Sequence, residues 1–199
     1  EAWVFDKALV FDNARVCGNA RVDGEAMVYD NAQVCGNARV GGEAKAYDDA
    51  FISDYAVVHD RAEIYGDAGI YDEARVFNSA EVHGHAIIKG LSRVFGLSEI
   101  YGDAEVYAPA RIYNAKIKQT IDYQVFYNVG SECSILTVYK TIGGDIRINR
   151  GCFFGTLKEF ERAVKRRHGY SKYGKHYAAI IESIKIWFDL YKKDSENDK

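Results

Sequence analysis

The sequence predicts a mainly β protein, a parallel β-solenoid of about six triangular coils followed by a small α+β module, and three observations carry that prediction. Small residues recur every six positions from Ala2 to Ala110, all alanine except Ser92 and Ser98, with no insertion between them. An aliphatic residue follows two places after each, from Val4 to Ile112, with only Ala46 undersized. Outward residues fall into like classes only when they are read at a spacing of 18.

Each hexad reads as one short strand and one corner. In Ala-x-Val the two apolar side chains alternate with the residue between them, so both point to one side of a strand and that side is the interior. The remaining residues are turn formers such as Gly18-Asn19, Asp30-Asn31, Gly36-Asn37 and Asp48-Asp49, which accept the positive φ of a sharp corner. One hexad cannot bury its own apolar face, so hexads must coil and stack. Spacing 18 yields a column Phe11, Tyr29, Tyr47, Tyr65, His83, Tyr101, a second Arg21, Arg39, Val57, Arg75, Arg93, Arg111, and a third Glu63, Glu81, Glu99. Spacings of 6 or 12 mix these classes. Three hexads therefore make one coil, and neighbouring strands lie about 4.8 Å apart.

The unit Val16-Cys17-Gly18-Asn19-Ala20-Arg21 resembles the hexapeptide-repeat superfamily, although its Gly stands one place later than that family favours. The resemblance covers about residues 2–114 and implies a left-handed, single-stranded parallel β-helix. Trimeric acyltransferases and gamma-class carbonic anhydrases belong to that superfamily.

After Ile112 the phase shifts by one residue at Ala115 and Ile117, and the repeat does not return. The expected division is a β-helix over 1–117 and an α+β module over 118–199. Residues 122–128, 134–141 and 145–149 read as strands, two to three in all, with Gly143-Gly144-Asp145 as a turn. Thr156-Leu157-Lys158-Glu159 is a capping box opening a helix of about a dozen residues that runs to Gly169. A second helix starts near Tyr173, with Tyr177, Ile180, Ile181, Ile184, Trp187, Phe188 and Tyr191 on one stripe. The module is expected to cap the exposed end of the solenoid or to make a subunit contact. The stretch Gly151-Cys152-Phe153-Phe154-Gly155-Thr156-Leu157 resembles small proteins carried by bacteriophages and prophages.

Composition bounds the function. The chain has 199 residues, 48% of them hydrophobic, enough for a real core. No run of 18 apolar residues and no charged-then-apolar leader is present, so a soluble, cytoplasmic protein without a membrane partner is expected. The start without Met reads as processed or trimmed. Cys17, Cys35, Cys133 and Cys152 lack CxxC spacing, and free thiols are expected, although Cys17 and Cys35 stack within disulfide reach. The net charge of −3 divides unevenly: residues 1–117 hold 11 Lys and Arg against 19 Asp and Glu, whereas the rest of the chain is basic.

Candidate sites follow from the outward columns. Stacked arginines repel by about 0.9 kcal/mol per neighbouring pair even in water, so such a ladder attracts anions. Arg75, Arg93 and Arg111 have Phe77, Phe95 and Tyr113 as companions on the same strands, which suits stacking and phosphate contact. Lys165, Arg166, Arg167, Tyr170, Lys172 and Lys175 form a basic, aromatic stretch between the two helices. Cations at a helix C-terminus also complement its dipole. The aromatic column of Tyr29, Tyr47, Tyr65 and Tyr101 is the expected face of a homo-oligomer, a dimer or trimer. Only His83, with Glu81 as orienter, could serve as a general base, and no metal or cofactor is expected.

These residues predict a non-enzymatic binding protein that recognises a protein partner or an anionic ligand, nucleic acid or a nucleotide among them. The phage resemblance implies an inhibitor of host defence. The alternative is a pared-down hexapeptide acyltransferase using acyl-coenzyme A.

Overall fold

The structure, a computed structural model, describes residues 1–107 and 109–197, the last of these from 190 onward by backbone alone. It divides into two compact units, residues 1–123 with 140–144, and residues 124–139 with 145 onward.

The first unit is the parallel β-solenoid that the hexads dictate. Its strands of two or three residues bond to the coils before and after: Trp3 N–H donates to the Ala20 carbonyl at 2.9 Å, Arg21 N–H to Ala38 at 2.9 Å, and so on to Arg93 N–H and Ala110 at 2.8 Å. Three parallel sheets of seven, seven and six strands result. The first begins with Trp3–Val4 and Arg21–Val22 and ends with Arg111–Tyr113; the second runs from Leu9–Val10 to Lys116–Ile117; the third from Arg15–Val16 to Glu105–Val106. The register is 18 throughout the first sheet, with Arg21 beside Arg39 and Arg75 beside Arg93.

Sheet faces alternate as the pattern demands. The inward Ala and aliphatic positions from Ala20 to Ile112 are buried without exposure, Ala46 included. Ser92 and Ser98 fit the alanine positions because each hydroxyl bonds back to a carbonyl three residues earlier, Ser92 to Lys89 at 2.8 Å and Ser98 to Phe95 at 2.7 Å. The corners hold left-handed residues, either glycine or Asp and Asn. At Gly18 a Cβ would meet the Gly36 carbonyl oxygen at 2.8 Å, so glycine answers both conformation and close approach. The aspartates do more than accept φ: the Gly66 amide donates to Asp48 at 3.0 Å and the Gly90 amide to Asp72 at 2.9 Å, one coil later in each case.

The phase shift does not end the solenoid at Ile112. Lys116–Ile117 adds a strand to the second sheet, with Ile117 beside Ile100 and fully buried. Residues of the same unit then satisfy the last rungs. Glu105 N–H donates to Thr120 Oγ1 at 3.0 Å, Tyr107 N–H to the Tyr123 hydroxyl at 3.0 Å, and that hydroxyl to the Glu105 carbonyl at 3.1 Å. Ala115 bridges to Thr141, and Ile142 N–H reaches the Asn114 carbonyl at 3.0 Å.

The second unit carries a four-stranded sheet in sequential order, β1 (Tyr123–Val129), β2 (Ser134–Lys140), β3 (Ile146–Arg150) and β4 (Phe153–Thr156), with α1 (Leu157–His168) and α2 (Lys172–Asn197). Two to three strands are expected from the sequence; the fourth, β4, is too short and too rich in Phe and Gly to show alternation. The capping box forms: Glu159 N–H donates to Thr156 Oγ1 at 3.2 Å while the Thr156 amide donates to Glu159 Oε2 at 2.7 Å. Tyr177, Ile180, Ile181, Ile184 and Phe188 of α2 pack into one core with Leu136, Val138, Ile148, Phe160 and Val164, so the stripe is buried by its own unit. The Tyr191 side chain lies outside the described residues. No described helix is long and apolar enough to cross a membrane.

Candidate functional site

The outer face of the first sheet holds the arginine column. Outward strand positions place Arg21, Arg39, Val57, Arg75, Arg93 and Arg111 on successive rungs, paired in register. Arg39 is held by Asp23, whose Oδ2 accepts from Arg39 Nε at 2.8 Å. Asp23 takes that position because Gly41 leaves room on the next rung, where a Cβ would meet Asp23 Oδ1 at 2.5 Å. Its carboxylate is nearly buried, while the Arg39 side chain stays half exposed. Arg21, Arg75 and Arg93 are exposed and form no ion pair among the described residues. The companion rings stack, Phe77 on Phe95 with centroids 5.0 Å apart and Phe95 on Tyr113 at 5.1 Å. They are half-buried, and their faces are largely spent on one another.

Beside the column lies a groove of about 620 Å³, open to solvent. It is lined by Arg21, Arg39 and Arg75 from the strands and by Asn19, Asn37, Tyr55 and Glu73 from the neighbouring corner. Val57, the uncharged rung of the column, lines the groove between Arg39 and Arg75. Tyr55 is 64% exposed. Tyr55, Asn37 and Glu73 do not stand out in the sequence, since they belong to a corner column whose only regularity is its spacing. The signal was the break at Val57, two residues after an aromatic residue where the preceding coils have Asn19 and Asn37.

The second sheet carries the aromatic ladder. Phe11, Tyr29, Tyr47, Tyr65, His83 and Tyr101 stack continuously at 4.7–5.5 Å. Tyr47 and Tyr65 reach the coil ahead, Tyr47 donating to Glu63 at 3.3 Å and Tyr65 to Glu81 at 3.2 Å. The partner of His83 is therefore Glu99, at 3.4 Å, and not the expected Glu81, which is engaged by Tyr65. Glu99 also pairs with Lys116, whose hydrogen bond holds the Glu99 carboxyl below the usual range. His83 is clasped between Tyr65 and Tyr101, with both ring faces covered. Among the described residues, no three His, Cys, Asp or Glu side chains converge as a metal site would require.

On the third sheet Cys17 and Cys35 form a disulfide with Cα atoms 4.6 Å apart, which corrects the expectation of four free thiols. Parallel rungs bring identical outward positions to that distance automatically. Cys133 and Cys152 are free and exposed.

In the second unit the basic stretch is divided. Lys165, Tyr170 and Lys175 line a groove of about 510 Å³ between α1 and α2 that is floored by Val164 and Ile181. Arg167 turns to Glu132 at 3.7 Å, and Lys172 lies over the Tyr173 ring at 5.0 Å. Arg166 is exposed and outside the groove.

A family model described as the YdcK beta solenoid repeat matches residues 32–44, which include strands Gln33–Val34 and Arg39–Val40. No curated protein and no solved structure matches the chain.

Proposed function

We propose that this protein is a non-catalytic binding scaffold whose first sheet takes a linear polyanion along the arginine column. The observation that carries this reading is the set of exposed Arg21, Arg75 and Arg93, in register and without ion-pair partners among the described residues. Cations stacked about 4.8 Å apart repel one another, and an anionic polymer laid across them relieves that repulsion with several charge-assisted contacts at once. The glutamate column of Glu63, Glu81 and Glu99 belongs to the second sheet, so it does not share the face of the arginines.

Inorganic polyphosphate is the plainest probe. Binding measured by fluorescence anisotropy should weaken steeply with salt, as counterion release requires. Charge reversal of Arg75 and Arg93 together should abolish it. Retention of full affinity by that double variant sinks the reading.

A further inference from the structure

We propose that the rung missing from the arginine column is a base-binding subsite, and that the polyanion taken by this face is single-stranded nucleic acid; this rests on the anion-binding reading above. Three features of the groove coincide at one level. Val57 replaces a guanidinium with a short apolar floor, Tyr55 presents an exposed ring where the two preceding coils have asparagine, and Arg39 and Arg75 flank the gap from either side. The flanking Cα atoms are about 10 Å apart, two strand spacings. A nucleotide whose base lies over Val57 against Tyr55 carries one phosphate on each side, within reach of one long arginine apiece.

A featureless polyanion gains nothing from this arrangement. Polyphosphate or a sulfated glycan would bind better to an unbroken column, since the gap removes a cation and the corner replaces an amide with a phenol. A base gains from both changes, because it needs an apolar floor and an aromatic face and because stacking tolerates any base. The edges of the groove suit a base as well. Asn37 accepts from Asn19 at 3.3 Å, which leaves its own amide hydrogens without an acceptor among the described residues. Glu73, one rung beyond Tyr55, has no ion-pair partner among the described residues and can accept from an exocyclic amine. A duplex is excluded chemically, since paired and stacked bases present no free face to Tyr55 and the two-residue strands offer no element to enter a groove.

The test compares four labelled probes of equal length by anisotropy: an oligothymidylate, an oligouridylate, an abasic deoxyribose-phosphate strand and a DNA duplex. Either single strand with bases should bind about tenfold more tightly than the abasic strand and the duplex. Tyr55→Ala should erase that advantage without changing the salt dependence, and Tyr55→Phe should restore it. Arg75→Ala should weaken every probe and reduce the salt slope by about one. Tighter binding of either or both base-bearing strands supports the subsite, and a preference between the two points to its DNA or RNA source. If the abasic strand or the duplex binds as tightly as the base-bearing strands, or Tyr55→Ala changes nothing, the subsite is overturned while anion binding stands. If neither these probes nor polyphosphate binds, the anion-binding reading falls as well.

Discussion

The hydroxyl of Tyr65 donates to Glu81 Oε2 at 3.2 Å, sixteen residues further on, so this rung of the aromatic ladder is tied to the next coil, as Tyr47 is through Glu63. Burial in the stack is the first cause and the Glu81 charge the second that push the Tyr65 phenol up to about 12. The same causes, with Glu63 in place of Glu81, raise Tyr47. A raised value favours the neutral phenol in the folded state, so the stability it contributes is complete below about pH 10 and is lost as the pH climbs toward 12. Titration of phenolate absorbance in the native protein should show a late-ionising fraction that Tyr65→Phe and Tyr47→Phe each diminish. Ionisation of all tyrosines in one early step would contradict the ladder.

That the ladder exists was legible in the sequence, because stacking at 18 makes each outward column a list of neighbours. The lean of its side chains was not. A ring at one strand position reaches the residue two places earlier on the next coil, and only that tilt gives Glu99, not Glu81, to His83. The groove at Val57 was hidden for a related reason: it joins a strand column to a corner column, and their proximity depends on how the corner turns. In the second unit, the α2 stripe was plain from its helical period, whereas β4 needed the partner strand β3 to define it, with Ile148 opposite Gly155.

Corner aspartates should contribute measurably to stability. Asp72 sits at φ 57° and accepts the Gly90 amide at 2.9 Å. Asp72→Ala loses that bond and forces a Cβ residue less tolerant of the left-handed region, so urea unfolding should show a loss of about 1–2 kcal/mol. Asp72→Gly should lose less, since glycine adopts the conformation freely, and Asp72→Asn should stay within about 0.5 kcal/mol of the parent. An Asp72→Gly variant as stable as the parent would show that the side chain's acceptor role is irrelevant.

The disulfide between Cys17 and Cys35 leaves two thiols for reaction. Protein isolated without reductant should titrate at two thiols per chain both native and denatured, because Cys133 and Cys152 are already exposed. Reduction should raise the count to four. Cys17→Ser should add one reactive thiol, at Cys35, and four thiols before reduction would refute the pairing.

The N-terminus of α1 offers the acid-side counterpart. The Thr156 amide and hydroxyl both donate to Glu159 Oε2, at 2.7 and 2.8 Å, and hold the Glu159 carboxyl below its ordinary value near 4.5. A depressed value means stability that is present above that pH and lost as the pH falls through the folded-state value. Thr156→Ala should therefore cost about 1 kcal/mol at neutral pH through the lost cap. Glu159→Gln should destabilise at neutral pH, and its deficit should shrink as the carboxyl protonates. Unfolding of this unit can be followed separately through Trp187, which packs against its core, in a Trp3→Phe background that removes the other tryptophan. A deficit of Glu159→Gln that is independent of pH between neutrality and the acid limb would show that the glutamate acts by shape rather than by charge.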